Sequence, residues 1–179
     1  MVFKTNKVKF FQLRLKKITS KNLIKISKKI KKITKKNNVK FLINDKPLIA
    51  KKIGADGCHI GQEDMNFKES RKILGKNKII GVTCHNSKKL AIKAKKDKAN
   101  YIALGAFFST KTKQAKYKAS IKILNWSKKT TNIPIVAIGG IKLENYKKLL
   151  LNNANFLAIS GYIWNNKKYK PIEAMRKLK

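Results

Sequence analysis

Residues 41–65, FLINDKPLIAKKIGADGCHIGQEDM, contain the side chains best suited to chemistry. Two short apolar runs each end in polar residues, Asn44-Asp45 after the first and Gln62-Glu63-Asp64 after the second. The chain has only 8 Asp and Glu against 45 Lys and Arg, and three of those carboxylates fall at these two places. Carboxylates at strand ends offer the oxygen ligands that hard divalent cations take, commonly alongside substrate phosphates. The pair Asp45 and Asp64 therefore reads as a metal position facing an anionic substrate. Each also has an ordinary reading. Asp45 stands just before Pro47 and could cap a helix beginning there, while Glu63 and Asp64 could cap the next one. Glu63 is taken as structural, and Asp56 as a turn residue.

Cations come from elsewhere. Arg14 and Lys16 lie two apart at the end of an apolar run, so on a strand they would share a face and could clamp an anion. Arginine occurs only at positions 14, 71 and 176, which makes Arg14 conspicuous among so many lysines. Cys84-His85 invites a thiol nucleophile, but no third, orienting group is visible in the sequence. Gly139-Gly140 follows a strand and suits either backbone geometry or a close approach to phosphate.

The elements that must position these residues alternate strictly. Strands are expected at 8–15, 39–45, 57–62, 78–84, 101–107, 133–138 and 156–163, with helices at 20–36, 47–53, 67–74, after His85, around 121–128, at 143–150 and at 171–178. Ser20 is the expected N-cap of the first helix, whose Leu23, Ile26, Ile30 and Ile33 form one apolar stripe. Strands that are continuous apolar runs separated by helices imply βα units and a parallel sheet buried on both faces. Every polar cluster follows a strand, the carboxyl-end position of active sites in a (β/α) barrel and in open doubly wound sheets alike. One domain spanning 1–179 is expected.

Composition excludes little but shapes the partners. A net charge of +37 would suit a nucleic-acid binder. The excess is lysine spread over all the expected helices and loops, where readers of bases lean on arginine. It is read as solvated surface, with no specific nucleic-acid partner. No apolar run approaches the ~18–20 residues that span a bilayer, and the basic start lacks an apolar signal core. No membrane partner and a cytoplasmic location are expected, and self-association as a homo-oligomer is left open. Two cysteines, Cys58 and Cys84, are too few for a disulfide framework.

The ordered motifs carry a resemblance. QLRLK at 12–16, IND at 43–45, GADGCHIGQEDM at 54–65, GVTCH at 81–85, GAFFSTKTK at 105–113, VAIGGI at 136–141 and AIS at 158–160 follow the order seen in the thiamine phosphate synthase family, over nearly the whole chain. The resemblance implies an α/β fold of the TIM-type (β/α) barrel kind. It also implies a Mg²⁺-dependent reaction joining hydroxymethylpyrimidine diphosphate to thiazole phosphate, with pyrophosphate leaving before the thiazole nitrogen captures the pyrimidine cation. By position, Asp45 and Asp64 match the metal carboxylates. Arg14, Lys16, Asn44 and Lys113 match diphosphate contacts, and Gln12 a pyrimidine contact. Thr83 stands where the family usually has serine and keeps the hydroxyl. Thr110 and Thr112 match thiazole phosphate contacts, and Gly140, Ile159 and Ser160 a phosphate cup. Arg14, Lys113 and Thr83 are the expected catalytic groups.

This chain departs from the pattern in three places. The family has a strand and helix before QLRLK, so the barrel is expected to lack its first βα unit and to have seven strands. Ser109 and Lys111 replace prolines, and Thr83-Cys84 replaces a Ser-Thr pair. Two other readings compete with the synthase. A thiazole tautomerase shares the fold without coupling two substrates, and the presence here of Asp45, Asp64, Arg14 and Lys113 argues against it. A non-catalytic polyanion-binding descendant would use the positive surface instead.

Overall fold

The computed structural model describes residues 1–110 and 117–178. Strands and helices alternate along the chain: β1 (Phe10–Leu13), α1 (Ser20–Lys36), β2 (Lys40–Asn44), α2 (Pro47–Lys52), β3 (Gly57–Ile60), α3 (Phe67–Leu74), β4 (Ile79–His85) and α4 (Lys88–Lys96). The second half continues with β5 (Tyr101–Leu104), α5 (Lys122–Thr131), β6 (Ile135–Ile138), α6 (Tyr146–Leu150), β7 (Phe156–Ala158), α7 (Gly161–Trp164) and α8 (Pro171–Lys177). Sheet order follows chain order from β1 to β7. Two compact units are distinguishable, Phe3–Gly81 and Val82–Lys179 with Met1–Val2.

In the first unit β1, β2 and β3 pair in parallel, with Leu13 opposite Ile43 and Asn44 opposite His59. Phe41, Leu42 and Ile43 are all buried, as is every residue of β3. Burial of consecutive residues means both faces of these strands are covered, and continuous apolar runs are how such strands read. Asp56, expected only to make a turn, accepts a hydrogen bond from the Phe41 N–H (2.8 Å) and pairs with Lys40 at 3.7 Å. It ties the start of β2 to the turn before β3. Gly57 is required, because a Cβ there would strike the Ile79 carbonyl.

Helix α1 corrects two expectations. Its N-cap is Thr19, whose hydroxyl accepts the Asn22 N–H at 3.3 Å, not Ser20. Its buried residues are Leu23, Ser27 and Thr34, whereas Ile33 is 41% exposed. The inward face runs through small hydroxyl residues, which an apolar count passes over. Thr34 is satisfied by donating its hydroxyl to the Lys31 carbonyl (3.0 Å).

In the second unit β5, β6 and β7 pair in parallel, with Leu104 opposite Ala137 and Ile138 opposite Ala158. Ile102, Leu104, Leu124, Ile135, Ala137 and Leu149 are fully buried and form its core. The expected last strand is shorter than its apolar run suggests. β7 stops at Ala158, and Gly161–Trp164 turns into a helix. The apolar run is therefore shared between a strand end and a helix that buries Ile163.

With 8 carboxylates and 45 cationic side chains, most lysines have no acid to pair with. Several bond backbone carbonyls instead. Lys31 Nζ donates to the Ile53 carbonyl (2.9 Å), Lys78 Nζ to Ala55 (2.7 Å) and Lys95 Nζ to Thr130 (2.8 Å). These carbonyls lie at or just past helix C-termini, the negative ends of the helix dipoles, so a cation is favourable there. The remaining charge repels itself. Raising NaCl from 50 mM to 500 mM should therefore raise the melting midpoint by at least a few °C, the shift that about 1 kcal/mol produces in a chain this long. Thermal melts at the two salt concentrations check this.

Candidate active site

The first unit brings Asp64, Lys16 and Arg14 within electrostatic reach of Asp45. β2 ends at Asn44, and Asp45 turns the chain with φ +63, donating its N–H to the His59 carbonyl at 2.8 Å. A left-handed conformation is unfavourable for most residues but tolerated by Asp, whose short polar side chain can bond locally. Asp45 does not cap α2. The N-cap is Lys46, with no side-chain cap bond, and Pro47 takes the first turn. Its carboxylate is thereby left at the strand end.

Asp64 is held differently. After β3 the chain turns at Gly61, and Asp64 Oδ2 accepts the Gly61 N–H at 2.8 Å. A Cβ on Gly61 would lie 2.7 Å from that same oxygen, so only glycine leaves the carboxylate in this position. Helix α3 is capped by Asn66, whose side chain accepts the Glu69 N–H (3.0 Å), so Asp64 does not cap it.

The Asp45 and Asp64 carboxyls are close enough to share a proton. Burial, then the hydrogen bond to Asp64 and its charge, push the Asp45 carboxyl up to about 6, against the opposing pull of Lys16 and Arg14. Two acids brought this close need a shared proton or a cation between them. A bound divalent ion fits that donor set, since both ligands are hard oxygens. Among the described residues no third His, Cys, Asp or Glu joins them, so water or substrate oxygens would complete such an ion's shell.

The position of the cationic pair departs from expectation. β1 ends at Leu13, so Arg14 and Lys16 lie in the loop after it rather than on one face of a strand. Leu13 has a partner in Ile43, but no recorded β1–β2 pairing extends beyond it. The apolar Leu15 that suggested a longer strand is 39% exposed. Arg14 and Lys16 nonetheless both act on Asp45, so the loop delivers the juxtaposition that the strand was expected to give. Gln12 lies on β1 opposite Leu42, with an exposed side chain.

In the second unit Thr83 is half-buried on β4, two residues before His85. Thr110 is half-buried after β5, while Thr112 and Lys113 lie outside the described residues. Gly139 and Gly140 have φ +94 and +64, and a Cβ on them would strike Ala106 and the Ser109 carbonyl respectively. Packing alone therefore demands both glycines. Because Ile138 pairs with Ala158, Gly140 and Ser160 each come two residues past a matched position. Ile159 follows β7 directly, and exposed Ser160 is the N-cap residue of α7.

The two thiols are not nucleophiles at neutral pH. Burial pushes Cys84 up to about 12. Cys58 is also pushed up to about 12, chiefly by burial and further by the charges of Asp45 and Asp64. A reduced thiol in the core or near the site is what the apolar run around Cys58 suggests, and Cys58 lies within reach of both acids. The residue pattern gives no sign of the His59 carbonyl that places Asp45, and for the Gly61 N–H that places Asp64 the Gly before Gln62-Glu63-Asp64 is the available signal.

A sequence profile described as thiamine monophosphate synthase matches residues 2–163. The thiamine-phosphate synthase of Pelagibacter ubique (strain HTCC1062) is 68% identical over 179 residues, covering 100% of this chain and 86% of that protein. That of Rhodospirillum centenum (strain ATCC 51521 / SW) is 41% identical over 155 residues, 87% of this chain and 75% of that one. Among solved structures, thiamine phosphate pyrophosphorylase from Pyrococcus furiosus superposes with a TM-score of 0.86 at 26% identity, covering 95% of this chain and 80% of the other. The fold is of the TIM-type (β/α) class, with seven strands in the sheet among the described residues. On this evidence the chain belongs to the thiamine monophosphate synthase family.

Proposed function

We propose that the chain is a transferase that joins hydroxymethylpyrimidine diphosphate to thiazole phosphate, giving thiamine phosphate and pyrophosphate. Family membership supports the reaction, and the observation that carries the site is the nearness of the Asp45 carboxyl to Asp64, with Arg14 and Lys16 within electrostatic reach of it. The bond between the pyrimidine methylene carbon and the diphosphate oxygen breaks, and the electron pair leaves with pyrophosphate. The thiazole nitrogen then supplies the pair that closes the new C–N bond. The difficult part is charge accumulating on the leaving group, which fixed cations stabilise best when they are in place beforehand.

Arg14 and Lys16 supply that charge from the loop after β1, joined by Asn44 and, from the sequence, Lys113. Asp45 and Asp64 would hold Mg²⁺, which when bound adds positive charge beside the departing oxygens. Gln12 orients the pyrimidine, and the Thr83 hydroxyl contacts the reacting substrate. Thr110, Thr112, Gly140, Ile159 and Ser160 bind the thiazole phosphate. We read 1–179 as one functional domain acting on small molecules in the cytoplasm. The acid pair favours this over the tautomerase reading, which has no leaving pyrophosphate to neutralise.

The pKa of Asp45 has a consequence for the metal. A carboxyl raised from 3.8 to about 6 holds its proton in the folded state, so its contribution to stability is complete below the ordinary value and is lost as pH rises through about 6. Mg²⁺ needs the ionised form, so its binding below pH 6 must expel one proton and should weaken about tenfold per pH unit. Calorimetric titration of the protein with Mg²⁺ at pH 5, 6, 7 and 8 checks this. Constant affinity across that range would remove Asp45 from the ion. The activity itself is tested by incubating purified protein with both substrates and Mg²⁺. Thiamine phosphate and pyrophosphate should appear in equal amounts, with neither formed when one substrate is omitted. A well-folded protein that forms no thiamine phosphate would refute the assignment.

A further inference from the structure

β4 ends at His85 in an unusual way. Its φ is +53, a conformation that costs energy for a residue other than Gly and persists only where surrounding contacts enforce it. Those contacts are present. The His85 carbonyl accepts the Gly105 N–H at 3.1 Å, and the next side chain, Asn86, accepts the Ser120 N–H at 3.3 Å. The segment running into Ser120 is laced to the end of β5 as well. The Ala106 N–H donates to the Tyr117 carbonyl (3.2 Å), and the Ala119 N–H donates to the Ala106 carbonyl (2.8 Å). This lacing sets the Tyr117 ring against the His85 imidazole, with centroids 4.5 Å apart and planes tilted by 39°.

The pair is not core packing. Tyr117 remains 53% exposed, although its backbone carbonyl is bonded and its ring partnered. Aromatic surface held rigid yet left open to solvent is how proteins present a flat ring to a ligand at little entropic cost. The location is also suitable. Thr83 lies two residues before His85 on β4. Tyr117 belongs to the same segment after β5 as Thr110.

We infer that His85 and Tyr117 form an aromatic platform on which the thiazole ring of the second substrate stacks. This rests on the proposed synthase reading and extends it, since it assigns ring recognition to His85, to which no substrate contact was matched, and to Tyr117, which lies outside the matched motifs. The choice of the thiazole over the pyrimidine follows from the unit. Thr110, Gly140 and Ser160, proposed for the thiazole phosphate, belong to Val82–Lys179 as His85 and Tyr117 do, whereas Gln12, Asn44 and the acid pair belong to Phe3–Gly81. The phosphate would be held by the Thr, Gly and Ser positions, while the ring pair fixes the plane of the nucleophilic heterocycle.

The test is direct binding of thiazole phosphate by calorimetry to wild-type, Tyr117→Ala and Tyr117→Phe protein, with steady-state KM values for both substrates. The platform predicts that Tyr117→Ala weakens thiazole phosphate binding and raises its KM by about three- to tenfold, the effect of losing one aromatic contact. The KM for the pyrimidine diphosphate should stay within about twofold, and Tyr117→Phe, which keeps the ring, should restore wild-type binding. A purely structural latch would move both KM values together, and that result overturns the platform. So would normal thiazole phosphate binding by Tyr117→Ala, or failure of Tyr117→Phe to recover it. Wild-type protein that couples the substrates while Tyr117→Ala binds normally sinks this inference alone. Wild-type protein that neither couples them nor binds thiazole phosphate sinks both.

Discussion

Replacing Asp45 by Asn should remove nearly all turnover and leave the fold as stable as before, or more so. Asn tolerates the left-handed backbone at this position, and the N–H bond to the His59 carbonyl does not involve the side chain. What changes is charge. The carboxyl is half-buried beside Asp64, and both circumstances disfavour its ionised form, so neutralising it relieves a cost to folding. Function should respond in the opposite direction, because an amide is a poor ligand for Mg²⁺ and the site loses positive charge where pyrophosphate departs. Removing one preorganised electrostatic contribution of this kind typically costs about 10²–10³ in kcat. Asp64→Asn should lose activity to a similar extent, while its amide oxygen can still accept the Gly61 N–H. Thermal melts and steady-state kinetics on both variants read the two effects separately. If either variant instead melts earlier and keeps its activity, that acid is structural.

Arg14→Ala is the second large loss. Arg14 stands in the loop after β1 and lowers the pKa of Asp45, so its charge reaches the acid pair. A guanidinium can hold a phosphate through two parallel bonds, which a lysine cannot. Arg14→Ala should cut kcat/KM for the pyrimidine diphosphate by about 10²–10³, and Arg14→Lys should recover only the part due to charge. A secondary effect identifies the mechanism. Without Arg14 one of the influences lowering the Asp45 pKa is gone, so the acidic limb of the pH–rate profile should move to higher pH. A profile that keeps its acidic limb in place while activity falls would mean that Arg14 does not act on this pair.

Much of this arrangement was legible in the sequence, for definable reasons. Parallel strands buried on both faces leave continuous apolar runs, and helices leave a different period, so the alternation of elements could be read directly. Scarce acids at two strand ends were equally legible. Only the structure removes the capping role from Asp45, because an Asp near Pro suits either a cap or a site, and the intervention of Lys46 as N-cap cannot be deduced from residue types. Strand ends were misjudged where apolar residues continue past the last recorded pairing. Leu15 follows β1 without belonging to it, and the run after Ala158 continues into α7. The inner face of α1 was misread because Ser27 and Thr34 do the packing that isoleucines were expected to do. The His85–Tyr117 contact joins residues far apart in sequence through backbone bonds to Ala106, which no residue pattern encodes.

The most direct measurement of the central claim is pyrophosphate binding by calorimetry, with and without Mg²⁺, to wild-type protein and to the Asp45→Asn/Asp64→Asn double variant. Wild-type protein should bind pyrophosphate at least about tenfold more tightly when Mg²⁺ is present, since the ion would be shared between carboxylates and phosphate. The double variant should lose that enhancement while retaining the weaker, Mg²⁺-independent affinity due to Arg14 and Lys16. If the variant keeps the full Mg²⁺ enhancement, Asp45 and Asp64 do not hold the ion, and the account of this site is wrong.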